Sequence, residues 1–150
     1  MTDDLLSIRE ITEADKEEYI KMANDFYSSD AVSHKIPEKN FDIAFEAAVG
    51  NNPFIRLYIL GTNRKTAGYA AIAVTFTTEG GGNTLWLDEL YIKPEYRGKG
   101  FGRALIEFLK QDPSIKRIRL EITPENERAK KLYESEGFVP CEYQQLILDR

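Results

Sequence analysis

The chain has 150 residues, 42% of them hydrophobic and 30% charged, and a formal net charge of -5. This length suits one domain with a substantial core, and the composition argues against intrinsic disorder. The acidic balance, with no run of five or six like charges, argues against a nucleic-acid partner and mildly favours cationic substrates, although most acidic proteins are simply soluble.

In chain order, Met1 to Glu10 holds Asp3, Asp4 and Glu10 and no apolar h-region, so no signal peptide is expected. No apolar run nears the roughly 18 residues of a membrane span, and the expectation is a soluble, cytoplasmic protein. Leu6–Glu10 reads as a short strand. Thr12 offers an N-cap, and Glu13 and Asp15 suit the positive end of a helix dipole. Tyr19, Met22, Ala23 and Phe26 recur at helical spacing, which predicts a helix over Thr12–Ser28. The polar stretch Ser28–Asn40 predicts a loop, and Phe41, Ala44, Phe45 and Ala48 predict a second helix that ends at Gly50-Asn51-Asn52-Pro53.

Strands are predicted over Phe54–Leu60, Ala67–Thr77 and Leu85–Ile92, with turns at Gly61–Arg64 and Gly80–Asn83. The second half alternates helix and strand: a helix over Gly100–Leu109, a half-buried strand over Ile115–Ile122 and a helix over Glu125–Glu136 that stops at Gly137. A terminal strand or two is expected between Phe138 and Leu148. No linker, repeat or low-complexity segment interrupts residues 1–150, so a single α+β domain is expected, mainly antiparallel first and with a parallel crossover later.

Between Lys93-Pro94 and the third helix stand Gly98, Gly100 and Gly102 at alternate positions, with Arg97, Lys99 and Arg103 around them. Glycines allow positive φ and close approach of an anion, and the first amides of a helix lack intrahelical partners. The pattern fits a diphosphate site; a purely structural turn is the alternative. A Walker loop needs Ser or Thr after Gly-Lys, whereas Gly100 follows Lys99, and the glycines are spaced too evenly for a dinucleotide fingerprint.

Arg97 to Gly102 resembles the signature of the GCN5-related N-acetyltransferase (GNAT) family: Arg or Gln, two residues, Gly, one residue, Gly or Ala. Asn126, Ala129, Leu132, Tyr133, Gly137 and Phe138 are similar to a second family signature, about 30 residues on and in the expected order. The resemblance covers Thr66–Phe138 well and the first 60 residues only as a general pattern. It implies an α+β GNAT-like domain, with a mixed, mostly antiparallel sheet of about six to seven strands and about four helices. It also implies acetyl-CoA as cosubstrate, no metal and transfer of an acetyl group to an amine.

By the same resemblance, Leu90, Tyr91 and Ile92 hold the pantetheine arm, and Arg97, Gly98, Lys99, Gly100, Phe101, Gly102 and Arg103 hold the pyrophosphate. Asn126 contacts the pantetheine or adenosine portion, and the Tyr133 hydroxyl faces the departing sulfur. Asn126 and Tyr133 are seven residues apart, which on one helix puts them on roughly one face.

An alkyl ammonium with pKa about 10.4 must lose a proton before it attacks, so a base is needed. Asp88 and Glu89 are the candidates; strand alternation sends them to opposite faces, so only one is expected to reach the acceptor pocket. The pair resembles the diamine acetyltransferase branch, with Asp88 at the place of that branch's substrate-contacting glutamate, and the shorter side chain leaves open which of the two acts. Backbone N–H groups of Leu90–Ile92 are the expected donors to the thioester oxygen.

His34, in a polar loop, reads as a surface residue; with one histidine and one cysteine, neither a typical zinc site nor an acyl-cysteine route is expected. Because Cys141 is the only cysteine, no intrachain disulfide is expected either. The acceptor is expected to be a cationic amine on a small molecule or a protein, chosen mainly by the loops Ser28–Asn40 and Thr75–Asn83. A homodimer is left open, and the alternative function is an acetyl-CoA-binding sensor without turnover.

Overall fold

The computed structural model describes residues 5–32 and 34–150. Residues 1–4, where the leader reading begins, and Ser33 of the predicted loop lie outside the described residues. The elements run β1 (Leu6–Glu10), α1 (Lys16–Tyr27), α2 (Lys39–Val49), β2 (Ile55–Thr62), β3 (Lys65–Thr77), β4 (Gly82–Ile92), α3 (Phe101–Lys110), β5 (Ile115–Leu120) and α4 (Glu127–Ser135). A single 3-10 turn over Glu13–Asp15 precedes α1, so the predicted helix is split at its first turn.

The sheet has five strands in the order β1-β2-β3-β4-β5. Its first three pairings are antiparallel and β4–β5 is parallel, as the shift of rhythm in the sequence implied. The β2–β3 connection is a two-residue turn at Asn63-Arg64, both at positive φ (47° and 65°), the left-handed geometry that matches strand twist.

Buried residues alternate between two clusters. Leu57, Ile59, Tyr69 and Ala71 join Tyr19, Met22, Phe26, Phe41 and Phe45 of α1 and α2. Tyr58, Leu60, Ala70 and Ile72 join Phe101, Leu105, Ile106 and Leu109 of α3, with Tyr133 and Leu132 of α4. The sheet is therefore covered on both faces, which explains why β2 and β3 are buried at consecutive positions.

Two expectations are corrected. The sheet has five strands rather than six or seven, and residues 139–150 form no helix or strand and are exposed throughout. Leu146-Ile147-Leu148 has strand propensity, but propensity becomes a strand only where an edge and a packing face receive it, and here no strand pairs with the segment. Phe138 is the last residue of the chain packed against the core, its ring 5.5 Å from that of Tyr133.

Candidate active site

The site starts where β4 and β5 part. Their pairing ends at Leu87↔Leu120, while β4 runs on to Ile92 against β3 alone. The strand edge facing β5 is thus left without a strand partner beyond Leu87, and Leu90, Tyr91 and Ile92 line the cavity that opens there.

This first cavity has a volume of about 680 Å³. Arg97, Gly98, Gly100, Phe101, Gly102 and Arg103 line it, together with Asn126 and Tyr133 of the α4 region. Gly98 and Gly100 have φ of +75° and +91°, which a side chain rarely adopts, and a Cβ on Gly100 would meet nothing within 4 Å. No side chain caps α3, so its first amides remain available to an anion. At Gly102 a Cβ would meet Leu132 Cδ2 at 2.7 Å, so glycine there permits the close approach of α3 and α4. The Arg97 Nε–H donates to the Ile92 carbonyl (2.8 Å), fixing the turn to the end of β4.

One cation departs from the sequence reading and another is already paired. Lys99 does not line the cavity; its ammonium lies over the Tyr96 ring, 5.6 Å from the centroid. Arg103 lines it but is ion-paired with Glu136 and donates to Ser135 Oγ (2.9 Å). Arg128 also lines the cavity, its Nη2 3.1 Å from where a Gly98 Cβ would stand, and sequence reasoning did not single it out. Its only local signal is a cation in the first turn of a helix, where the dipole disfavours one.

A second cavity, of about 570 Å³, shares Phe26, Ala31, Leu90, Asn126, Ala129 and Tyr133 with the first. Asp88, Glu89 and Glu121 line it, and no lysine or arginine does among the described residues. The expectation that alternation would bring only one of the acidic pair here is overturned, because β4 carries a bulge. Ala71 pairs with Glu89 and Ile72 with Leu87, which leaves Asp88 without a partner. The extra residue shifts the faces of the strand, and both carboxylates reach one cavity.

They differ in surroundings. Glu89 accepts hydrogen bonds from Tyr69 (Oε1, 2.7 Å) and Tyr27 (Oε2, 3.0 Å). Burial pushes its pKa up, and the two hydroxyls pull it back. Asp88 is raised to about 6, by burial first and then by the negative charges of Glu89 and Glu121. Among the described residues no hydrogen bond holds the Asp88 carboxylate.

Asn126 is the N-cap of α4, its Oδ1 accepting from the Ala129 N–H (3.1 Å), rather than a residue inside the helix. Tyr133 still follows on the cavity side, and burial pushes its hydroxyl up to about 12, so it keeps its proton at neutral pH. His34 lines the second cavity, and Cys141 is exposed. No group of His, Cys, Asp and Glu able to hold a metal occurs among the described residues, and no described helix is long and apolar enough to cross a membrane.

Comparison with known proteins matches residues 9–138 to the model of the acetyltransferase (GNAT) family. Thialysine N-epsilon-acetyltransferase of Sus scrofa is 28% identical over 142 residues, 87% of this chain and 82% of that protein. Spermine/spermidine N(1)-acetyltransferase of Bacillus subtilis (strain 168) is 41% identical over 58 residues, 36% of this chain and 38% of that protein. The solved structure of aminoglycoside N-acetyltransferase AAC(6')-Iy in complex with CoA superposes with a TM-score of 0.76 at 14% identity, covering 98% of this chain and 96% of that one.

Proposed function

The chain belongs to the GNAT family of acyl-CoA N-acetyltransferases, and from that premise we propose that it transfers an acetyl group from acetyl-CoA to a primary amine on a cationic acceptor. The observation that carries this reading is the pair of cavities that meet at Tyr133, one built for an anionic cosubstrate and the other lined by carboxylates. The relatives named for thialysine and for spermine and spermidine support a cationic amine as acceptor.

The first cavity fits acetyl-CoA: the Gly98 and Gly100 cradle, the α3 amides, Arg97 and Arg128 suit a pyrophosphate, and the unpaired edge of Leu90–Ile92 suits an extended amide-bearing arm. Acetyl-CoA supplies the acetyl group as a thioester, so an amide C–N bond forms as the C–S bond breaks and a thiol leaves. The ammonium gives up two protons in all. Asp88 or Glu89 takes the first and passes it to solvent. Tyr133 holds the proton that goes to the sulfur, and the second proton from nitrogen restores its hydroxyl. Backbone N–H groups of Leu90–Ile92 stabilise the thioester oxygen.

Thiol release from acetyl-CoA, followed with spermidine, thialysine, an aminoglycoside and neutral alcohols as acceptors, tests the reading. Turnover is expected with the amines and not with the alcohols. No thiol release above the hydrolysis background with any of these amines would sink it.

A further inference from the structure

Resting on that acetyl-transfer reading, we infer a division of labour in the acidic pair: Asp88 takes the proton of the acceptor ammonium, while Glu89 is a clamped anion beneath it, with Tyr27 and Tyr69 as positioning residues. The geometry is specific. Each oxygen of Glu89 is occupied by a tyrosine hydroxyl, Oε1 by Tyr69 of β3 and Oε2 by Tyr27 at the end of α1. Two hydroxyl donors stabilise the charged form of this carboxylate, and that stabilisation is weakened when it takes a proton. Asp88 sits in the bulge of β4, without a strand partner, and lines the acceptor cavity with no hydrogen bond among the described residues. It is the carboxylate free to receive an ammonium.

The clamp is anchored from several elements. Tyr69 is fully buried and packs edge-on against Tyr19 of α1, with ring centroids 5.2 Å apart. Tyr27 packs on Phe41 of α2, with centroids 5.5 Å apart, and itself lines the acceptor cavity. The titratable groups around the pair are Tyr19 and Tyr27 from α1, Tyr69 from β3, Glu121 just past β5, Tyr133 from α4 and His34 from the loop after α1. Glu89 and Glu121 both act on Asp88 as like charges, which raise the proton affinity of its carboxylate.

The signs of the effects follow. Neutralising Glu89 removes a like charge, so Asp88 should titrate at lower pH. Removing either tyrosine hydroxyl takes away a donor that favours the charged form of Glu89. Glu89 then stays neutral over more of the pH range, and Asp88 again titrates lower, by less. A base acts deprotonated, so the acidic limb of kcat/KM should follow the Asp88 midpoint.

The test measures kcat/KM for spermidine against pH in the parent, Asp88→Asn, Glu89→Gln, Tyr27→Phe and Tyr69→Phe, together with carboxyl carbon NMR titration of Asp88. The NMR readout needs no turnover. Asp88→Asn should lose about 100-fold or more in kcat/KM, and Glu89→Gln about tenfold or less. In Glu89→Gln both the acidic limb and the Asp88 midpoint should fall by about half a pH unit or more, and in the two Phe variants by less in the same direction. A loss confined to Glu89→Gln, with Asp88→Asn within threefold of the parent, would reverse the roles. Parent turnover with an unmoved Asp88 midpoint in Glu89→Gln overturns this inference alone. Absence of parent turnover with every amine tested overturns the acetyl-transfer reading as well.

Discussion

Tyr133 stands where the two cavities meet, and its burial in apolar surroundings keeps the hydroxyl protonated with a pKa near 12. Tyr133→Phe keeps the ring and its contact with Phe138 and removes only the hydroxyl, so it tests the proposed proton transfer to the sulfur. The expected result is a loss of about 10² to 10⁴ in kcat, with acetyl-CoA affinity and melting temperature near the parent's. A kcat within threefold of the parent would make Tyr133 a packing residue. In the proposed function Gly100 bears on binding rather than chemistry. Its φ of +91° costs a side chain about 1–2 kcal/mol, and the side chain would project into space that is open in the structure. Calorimetry on Gly100→Val should show acetyl-CoA affinity down by about tenfold or more. Gly81→Val is the control: φ is +77° with equally open space, but the residue lies in the β3–β4 turn outside both cavities. It should lose comparable stability and keep its affinity.

Among the elements, the entry to α1 is held by a local charge device. Arg9 Nη1 and Nη2 donate to the two oxygens of Asp15 (2.7 and 2.8 Å), which also accepts from the Thr12 N–H (2.8 Å). The Arg9 guanidinium first, and then Thr12, hold the Asp15 carboxyl down to about 2. Asp15→Asn should destabilise the chain by about 1–2 kcal/mol, a fall in Tm of about 2–8 °C. Because the folded pKa is depressed, this contribution is fully present above about pH 4 and disappears as pH falls toward 2. The Tm difference between parent and variant, measured from pH 7 to pH 2, should close over that window. A constant difference would assign the effect to packing. The capping pattern at Thr12 was legible because its partners are three residues apart. The bulge at Asp88 was not, since it depends on how β4 registers with β3 seventeen positions earlier at Ala71.

For the molecule as a whole, the first cavity draws its walls from β4, α3, α4 and the segment after α1, so an occupant ties both halves of the chain together. Acetyl-CoA at about 100 times its Kd should stabilise the fold by about 2.7 kcal/mol, raising Tm by roughly 5–10 °C. The rise should be much smaller in Gly100→Val, and an equal rise in both would move the site elsewhere. The sequence by itself determined the order and nature of the elements through α4, because hydrophobic period, caps and glycine turns are local signals. It also placed the glycine turn and brought Asn126, as the cap of α4, and Tyr133 to one cavity, since positions along a capped helix or a tight turn are set by spacing alone. Tertiary structure decided the rest. Arg128 comes beside Gly98 only because α4 packs against α3, and Lys99 points away to Tyr96. Tyr27 and Tyr69 meet Glu89 from 62 and 20 residues away. The strand propensity of Leu146–Leu148 came to nothing without a partner strand. Each of these depends on which surfaces meet across long stretches of chain, and that is a property of packing and register, which no local pattern of residues encodes.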